Sequence, residues 1–209
     1  MLKVLGRAPS INVRKVLWTC AELGLGIEHE ADWGTPARPL GVPEFLALNP
    51  NAQVPVLVDD GFVMWESNAI CRYLADRHGR ADLLPADPRE RARVEQWMDW
   101  QATELNAAWR PAFMARVRGD AAALADPRAV EASVERWNRL MALLDAQLAR
   151  GGPHVTGAAF TLADVVLALA TNRWRRTPME HVAVPAVDAW FERLRARPAF
   201  LAFCDNGQP

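Results

Sequence analysis

The stretch GRAPSINVRK, residues 6–15, sets the Ser10 hydroxyl and the Asn12 amide two residues apart, where a short apolar run gives way to a helical pattern. A helix N-terminus carries free N–H groups and a partial positive charge. Side chains held there either cap the helix or turn their hydrogen bonds toward an anionic ligand. Glu66-Ser67 poses the same alternative, since the pair stands between a strand pattern and the helical run SNAICRYLADRH. Ser67 caps its helix or helps the helix end receive a carboxylate, while Glu66 favours the first turn or receives a cation. Arg110, Met114 and Arg118 recur every four residues and share a face if helix persists past Pro111. Two guanidinium groups on one face suit a small carboxylate; solvated surface arginines show the same spacing.

Other chemistries find no residues to run them. Cys20, Cys71 and Cys204 are scattered and lack a CxxC pair, which fits a reducing cytoplasm better than a disulfide framework. Cys20 and Cys71 read as core thiols. His29, His78, His154 and His181 never fall at metal-ligand spacing, so no metal is expected. A net charge of −1 with both signs interspersed gives no footprint for nucleic acid. No apolar run approaches the roughly 18 residues of a membrane span, and MLKVLGRAPS has no secretory pattern. A cytoplasmic protein without a membrane partner is expected. In TLAD, Thr161 and Asp164 form a capping box with Phe160 and Val165 as its hydrophobic staple, a folding device and not a catalytic acid.

The elements that hold these residues follow from hydropathy patterning. KVL reads as a buried strand, and Val13, Val16, Leu17, Cys20 and Leu23 then form one helical stripe that Gly24 stops. IEHEAD predicts a second strand and PEFLAL a short helix. VPVLVD, the Asp60-Gly61 turn and FVMW predict a hairpin, and a helix with Ser67 as N-cap follows. This order implies a small mixed sheet with helices packed on it over residues 1–79. Pro85 and Pro88 punctuate a linker at 80–88. Beyond it, helical period dominates. Asp87 and Pro88 open a long helix that Pro111 should kink or end, and residues 129–149 make an amphipathic helix. FTLADVVLALATNRW, apolar almost all round, predicts a central buried helix. Pro185 opens a last helix that Pro198 stops. With 51% of 209 residues hydrophobic, the chain can bury cores in an α/β N-terminal domain and in an all-helical domain at 89–209.

SINVRKVL after the first strand, NPNAQVPVL, WESNAI and FTLADVVLA occur in that order along the chain. Together they resemble the cytosolic glutathione S-transferase family over the whole length. WESNAICRYLA with WMDW looks closest to a bacterial serine/asparagine-type subgroup. The resemblance implies a thioredoxin-like domain joined to a helical bundle, a homodimer, and glutathione as co-substrate. It also implies a cis Pro55, with Val54 pairing to the cysteinyl backbone of glutathione like an added strand. Gln53 then reaches the tripeptide, Asn49 or Asn51 serves the turn, and Ser67 and Glu66 meet the γ-glutamyl carboxylate and ammonium. For the glycyl carboxylate, a cation or an indole is implied, with Arg38 and Trp33 as candidates.

The residue that activates the thiol separates subtypes of the family. The single tyrosine, Tyr73, is misplaced for a tyrosine-type enzyme, and Ser10 stands where a cysteine-type enzyme carries its cysteine. The Ser-Ser-Cys run of maleylacetoacetate isomerases is absent. That leaves a serine-type or asparagine-assisted transferase, in which Ser10 or Asn12 activates the thiol; Ser10 is the favoured sulfur donor, with Asn12 as cap or second donor. The implied activity is conjugation of the glutathione thiolate to a small electrophile, with Arg110, Met114 and Arg118 favouring an anionic haloacid. A glutathione-dependent disulfide-bond oxidoreductase and a non-enzymatic binding protein on the same fold are the alternatives.

Overall fold

In the computed structural model, which describes residues 1–209, KVL lies in strand β1 (Leu2–Leu5), with Val4 and Leu5 buried. This strand sits inside a four-stranded sheet of order β2-β1-β3-β4. Strand β2 (Glu28–Glu30) runs parallel to β1 on one side. On the other, β3 (Val56–Asp59) and β4 (Phe62–Trp65) form the predicted antiparallel hairpin, with Leu5 opposite Val56 and Val56 opposite Trp65. Its turn holds Asp60 at φ 48° and Gly61 at φ 90°, the positive angles an Asp-Gly pair supplies. Helix α1 (Ile11–Glu22) crosses from β1 to β2, α2 (Pro43–Leu46) precedes the hairpin, and α3 (Ser67–Arg77) follows it.

The helical part begins at α4 (Pro88–Trp100), where Asp87 accepts the N–H groups of Arg89 and Glu90, each at 3.0 Å. A π-helical turn, Gln101–Leu105, joins α4 to α5 (Asn106–Arg116). Pro111 does not end the helix. Its ring opens the backbone ladder, and a side chain from a neighbouring helix closes it. The Ser133 hydroxyl donates to the Ala108 carbonyl at 2.6 Å and accepts the Ala112 N–H at 3.1 Å. Ser133 belongs to α7 (Pro127–Gly151), which the short α6 (Ala121–Leu124) precedes.

Helix α8 (Leu162–Arg176) is buried from Leu162 through Trp174, as its apolar pattern predicts. Its capping box is present: the Thr161 N–H donates to Asp164 at 2.9 Å. Asp164 also accepts the Val155 N–H and the Trp190 indole, so this buried carboxylate pins three segments together. After α9 (Pro185–Leu194), Pro198 does not stop the chain's helices. Its fixed φ suits a first helical position, and it opens α10 (Pro198–Phe203). Helix α1 packs on α3, α8 and α10, and one core of 43 buried residues runs from the sheet through α8. Enclosure on both sides buries even Arg14 and Lys15.

Candidate active site

One small polar pocket gathers Asn12, Asn49, Asn51, Gln53, Val54, Pro55, Glu66 and Ser67. Its floor is the Val54-Pro55 bond, which is cis. Val54 lies just outside β3, and neither its N–H nor its C=O has a partner in the protein. The backbone here fits tightly. A Cβ at Gly6, where φ is 141°, would come within 2.6 Å of Val13 Cγ2 and 2.7 Å of Val54 Cβ. The turn before the cis bond is held by Asn49, whose amide donates to the Gln53 carbonyl at 2.7 Å and accepts the Asn51 N–H at 3.0 Å.

Two helix N-termini face this pocket. In α1 the first intrahelical bond is Arg14 N–H to Ser10 C=O, which leaves the N–H groups of Ile11, Asn12 and Val13 without partners. In α3 it is Ile70 N–H to Glu66 C=O, which frees those of Ser67, Asn68 and Ala69. Ser67 is not the N-cap of α3. Glu66 holds that place at φ 75° and ψ 104°, a conformation L-residues rarely adopt, and its side chain makes no capping bond. Strain of this kind persists where the surroundings require it, and it clusters at binding sites. Ser10 occupies the N-cap position of α1, yet its hydroxyl makes no capping bond, and no side-chain bond engages Asn12. Both donors are uncommitted; Asn12 lines the pocket and Ser10 does not.

Arg38 and Trp33 also lie outside the pocket. The Arg38 guanidinium stacks 3.8 Å over the Trp33 indole and pairs with Glu30 at 2.9 Å, Asp32 at 3.2 Å and Glu44 at 3.6 Å. Trp33 is buried and donates its N–H to Glu30. Three carboxylates therefore satisfy the cation that a glycyl carboxylate would need. On the helical side, Arg110 is exposed, Met114 is half-buried and Arg118 lies past the end of α5, 5.4 Å over the Phe113 ring.

Buried Lys15, behind the pocket, had no signal in the sequence, because a lysine in a helix reads as surface. Its ammonium donates to Gln101 at 2.6 Å and Asn68 at 3.1 Å, tying α1 to α3 and to the π-turn. Burial pulls its pKa down to about 8. The cysteines are poor nucleophiles: burial pushes the Cys20 thiol up to about 12, Cys71 up to about 11, and Cys204 well above its ordinary value. Tyr73 is spent on Asp59, its hydroxyl donating at 2.7 Å. A larger groove opens at the far end of α1, about 18 Å from its start for a twelve-residue helix. Its Glu22 and Arg197 neutralise one another at 2.9 Å, and it presents no nucleophile.

A thioredoxin-like sheet with an unpaired strand edge before a cis proline, backed by a helical domain, is the architecture of glutathione-dependent transferases. Residues 9–77 match the family "Glutathione S-transferase, N-terminal domain" and residues 100–198 match "Glutathione S-transferase, C-terminal domain". Glutathione S-transferase GstB of Escherichia coli is 36% identical, with 95% of each chain covered. Glutathione S-transferase 3 of Zea mays is also 36% identical, over 95% of this chain and 91% of that one. Among solved structures, the theta class glutathione S-transferase from Xanthomonas axonopodis pv. citri, with glutathione bound, superposes with a TM-score of 0.89. It is 36% identical, over 97% of this chain and 96% of that one. The chain belongs to the glutathione S-transferase family, and it is an enzyme that takes glutathione as co-substrate.

Proposed function

We propose that the pocket at Val54-Pro55 holds glutathione and that the enzyme conjugates it to a small anionic electrophile such as a haloacid. The unpaired N–H and C=O of Val54 pair with the cysteinyl backbone. Ser67 and the α3 N-terminus receive the γ-glutamyl carboxylate, Glu66 receives the ammonium, and Gln53 reaches the same end. The sulfur then faces the α1 N-terminus, with Asn12 and Ser10 as donors, which makes this a serine/asparagine-type member of the family. The observation that carries the reading is the convergence of Asn12, Gln53, Val54, Pro55, Glu66 and Ser67 on one pocket beneath two helix ends.

The energetics need no general base. A thiol of pKa about 8.5 lowered by roughly two units requires about 2.7 kcal/mol of preference for the thiolate. One hydrogen bond to the charged sulfur supplies about 1.5–3 kcal/mol, and a helix end up to about 2 kcal/mol. The thiol proton leaves to solvent. The thiolate then attacks the carbon bearing the halogen: the S–C bond forms, and the C–halogen bond breaks as halide departs with its electron pair. Arg110 and Arg118 face the carboxylate of that substrate, with Met114 between them. The same reading takes the chain as a homodimer, since the edge strand β4 leaves Phe62 52% and Trp65 39% exposed.

Spectroscopic titration of the glutathione thiolate bound to the parent, Ser10→Ala and Asn12→Ala tests the assignment. At least one variant should raise the thiolate pKa by about one unit, the loss of roughly 1.4 kcal/mol. If neither moves it, both residues are only part of the helix start.

A further inference from the structure

Arg173, on α8, is 5% exposed, and its guanidinium makes no hydrogen bond or ion pair with any protein group. Nε is fully sealed and unpartnered, while the terminal nitrogens keep a sliver of solvent access. Its cationic carbon lies 4.4 Å from the Trp109 ring centroid and 4.5 Å from that of Phe113. The surroundings add positive charge. Arg118 shares the Phe113 ring, and both Arg14 and Arg118 lower the Arg173 pKa, after burial, to about 9. The group is still charged at neutral pH. Arg14 has found partners in the carbonyls of Gln208 and Pro209, whereas Arg173 has none.

Two aromatic faces attract a guanidinium, but they offer no acceptor to its N–H donors, and the sealed Nε has none. A buried cation without an anion is among the costliest groups a fold can hold. A planar, bidentate anion is the partner that satisfies it. The cluster lies on the helical side of α1: Arg14 sits one turn beyond Ser10, and Lys15 is close enough to act on both Glu66 of the pocket and Arg173.

We propose that Arg173, flanked by Arg118 and seated on Trp109 and Phe113, is the anion anchor that fixes the electrophile's carboxylate while glutathione sulfur attacks its halogen-bearing carbon. The inference rests on the transferase reading above and adds a specificity-determining residue to it. The arginine supplies no proton. The S–C bond forms, the C–halogen bond breaks, and halide carries away the electron pair, while the carboxylate stays ionised and bound.

S-(carboxymethyl)glutathione and S-(carbamoylmethyl)glutathione are conjugates that differ at the acetyl group in charge and not in size, so their binding needs no turnover to be compared. The parent should prefer the carboxymethyl conjugate by at least about tenfold, the equivalent of roughly 1.4 kcal/mol. Arg173→Gln should abolish that preference while leaving the carbamoylmethyl conjugate and glutathione bound within about twofold of parent. Should that variant fail to fold by circular dichroism, Arg173→Lys keeps the charge but loses the bidentate fork, and the preference must fall at least about threefold. No preference in the parent, or a preference unchanged in the variant, overturns the anchor. If glutathione binds normally under either of those outcomes, the transferase reading stands without it. If neither glutathione nor either conjugate binds, the pocket assignment fails, and the anchor with it.

Discussion

The two walls proposed for glutathione and for the electrophile are built from different material. The glutathione wall is backbone: an unpaired strand edge at Val54, the free N–H groups of two helix starts, and short polar side chains between them. The side proposed for the electrophile is side chain: the rings of Trp109 and Phe113 carry Arg173, and Phe113 carries Arg118 as well. A wall made of backbone is fixed by torsions, and torsions are set by neighbours in the chain. A wall made of side chains is fixed by how distant helices pack, and it changes when one residue changes. One wall is therefore suited to a constant co-substrate, and the other to whatever electrophile the enzyme meets.

The largest expected effect breaks the backbone wall. Gly6→Ala forces a Cβ between Val13 and Val54 at a φ of 141°. The strain and overpacking should cost about 3 kcal/mol, read as a lowered midpoint in urea unfolding, and should weaken glutathione binding too. A fully stable variant with normal affinity would mean that the close approach is relaxed in solution. Next, Ser133→Ala removes the hydroxyl that bridges Ala108 and Ala112 across Pro111. Two buried backbone groups lose their partner, at a cost of about 1–3 kcal/mol, and calorimetry should register it while glutathione affinity holds. If affinity falls in step with stability, the two walls are not independent.

Smaller effects sharpen the contrast. Glu66→Gly relieves a strained φ of 75° but deletes the ammonium's partner. Stability should rise by up to about 1 kcal/mol while glutathione binds roughly tenfold more weakly, a loss of about 1.4 kcal/mol. Ser67→Ala should show the loss in affinity without the gain in stability. Both losses should appear in KM more than in kcat, because these contacts are remote from sulfur. Equal affinity in parent and variants would remove Glu66 and Ser67 from the site. The smallest effect belongs to exposed Arg110: Arg110→Gln should raise KM for a haloacid by about two- to threefold and spare a neutral aryl halide, as befits a screened surface charge. An equal response of both substrates would make that arginine structural.

The same division explains what the sequence could tell. Asp60-Gly61 and the capping box at Thr161 are local signals, and each appears where the pattern puts it, while the cis bond before Pro55 is one that only the family resemblance implies. Pro111 offers a kink or an end, and it is not an end because the serine that repairs its helix lies on α7, 22 positions further along. Pro198 reads as a stop because the same ring that forbids a helix interior suits a helix start. Ser67 is a good cap by type, and only the strained torsion of Glu66 moves the helix start by one residue. Arg38 resembles a free cation until the fold brings Glu30, Asp32 and Glu44 around it. Lys15 and Arg173 have no sequence signature at all, since a buried charge looks like a surface one until the packing is known.

The π-turn at Gln101–Leu105 gives the two walls separate timing along the chain. Its first residue, Gln101, is locked to Lys15 beside the glutathione wall, and the residues after it carry Trp109, Arg110 and Phe113. A π-turn holds one residue more than the α-helical turn it replaces, so deleting a single residue there would let an ordinary α-helix form with the residues downstream kept in phase. That one edit would keep Trp109, Arg110 and Phe113 on their present face, and its cost would fall on the local geometry that brings Gln101 to Lys15. The turn thus works as slack in a rod: it takes up one extra residue locally and spares the helix beyond it.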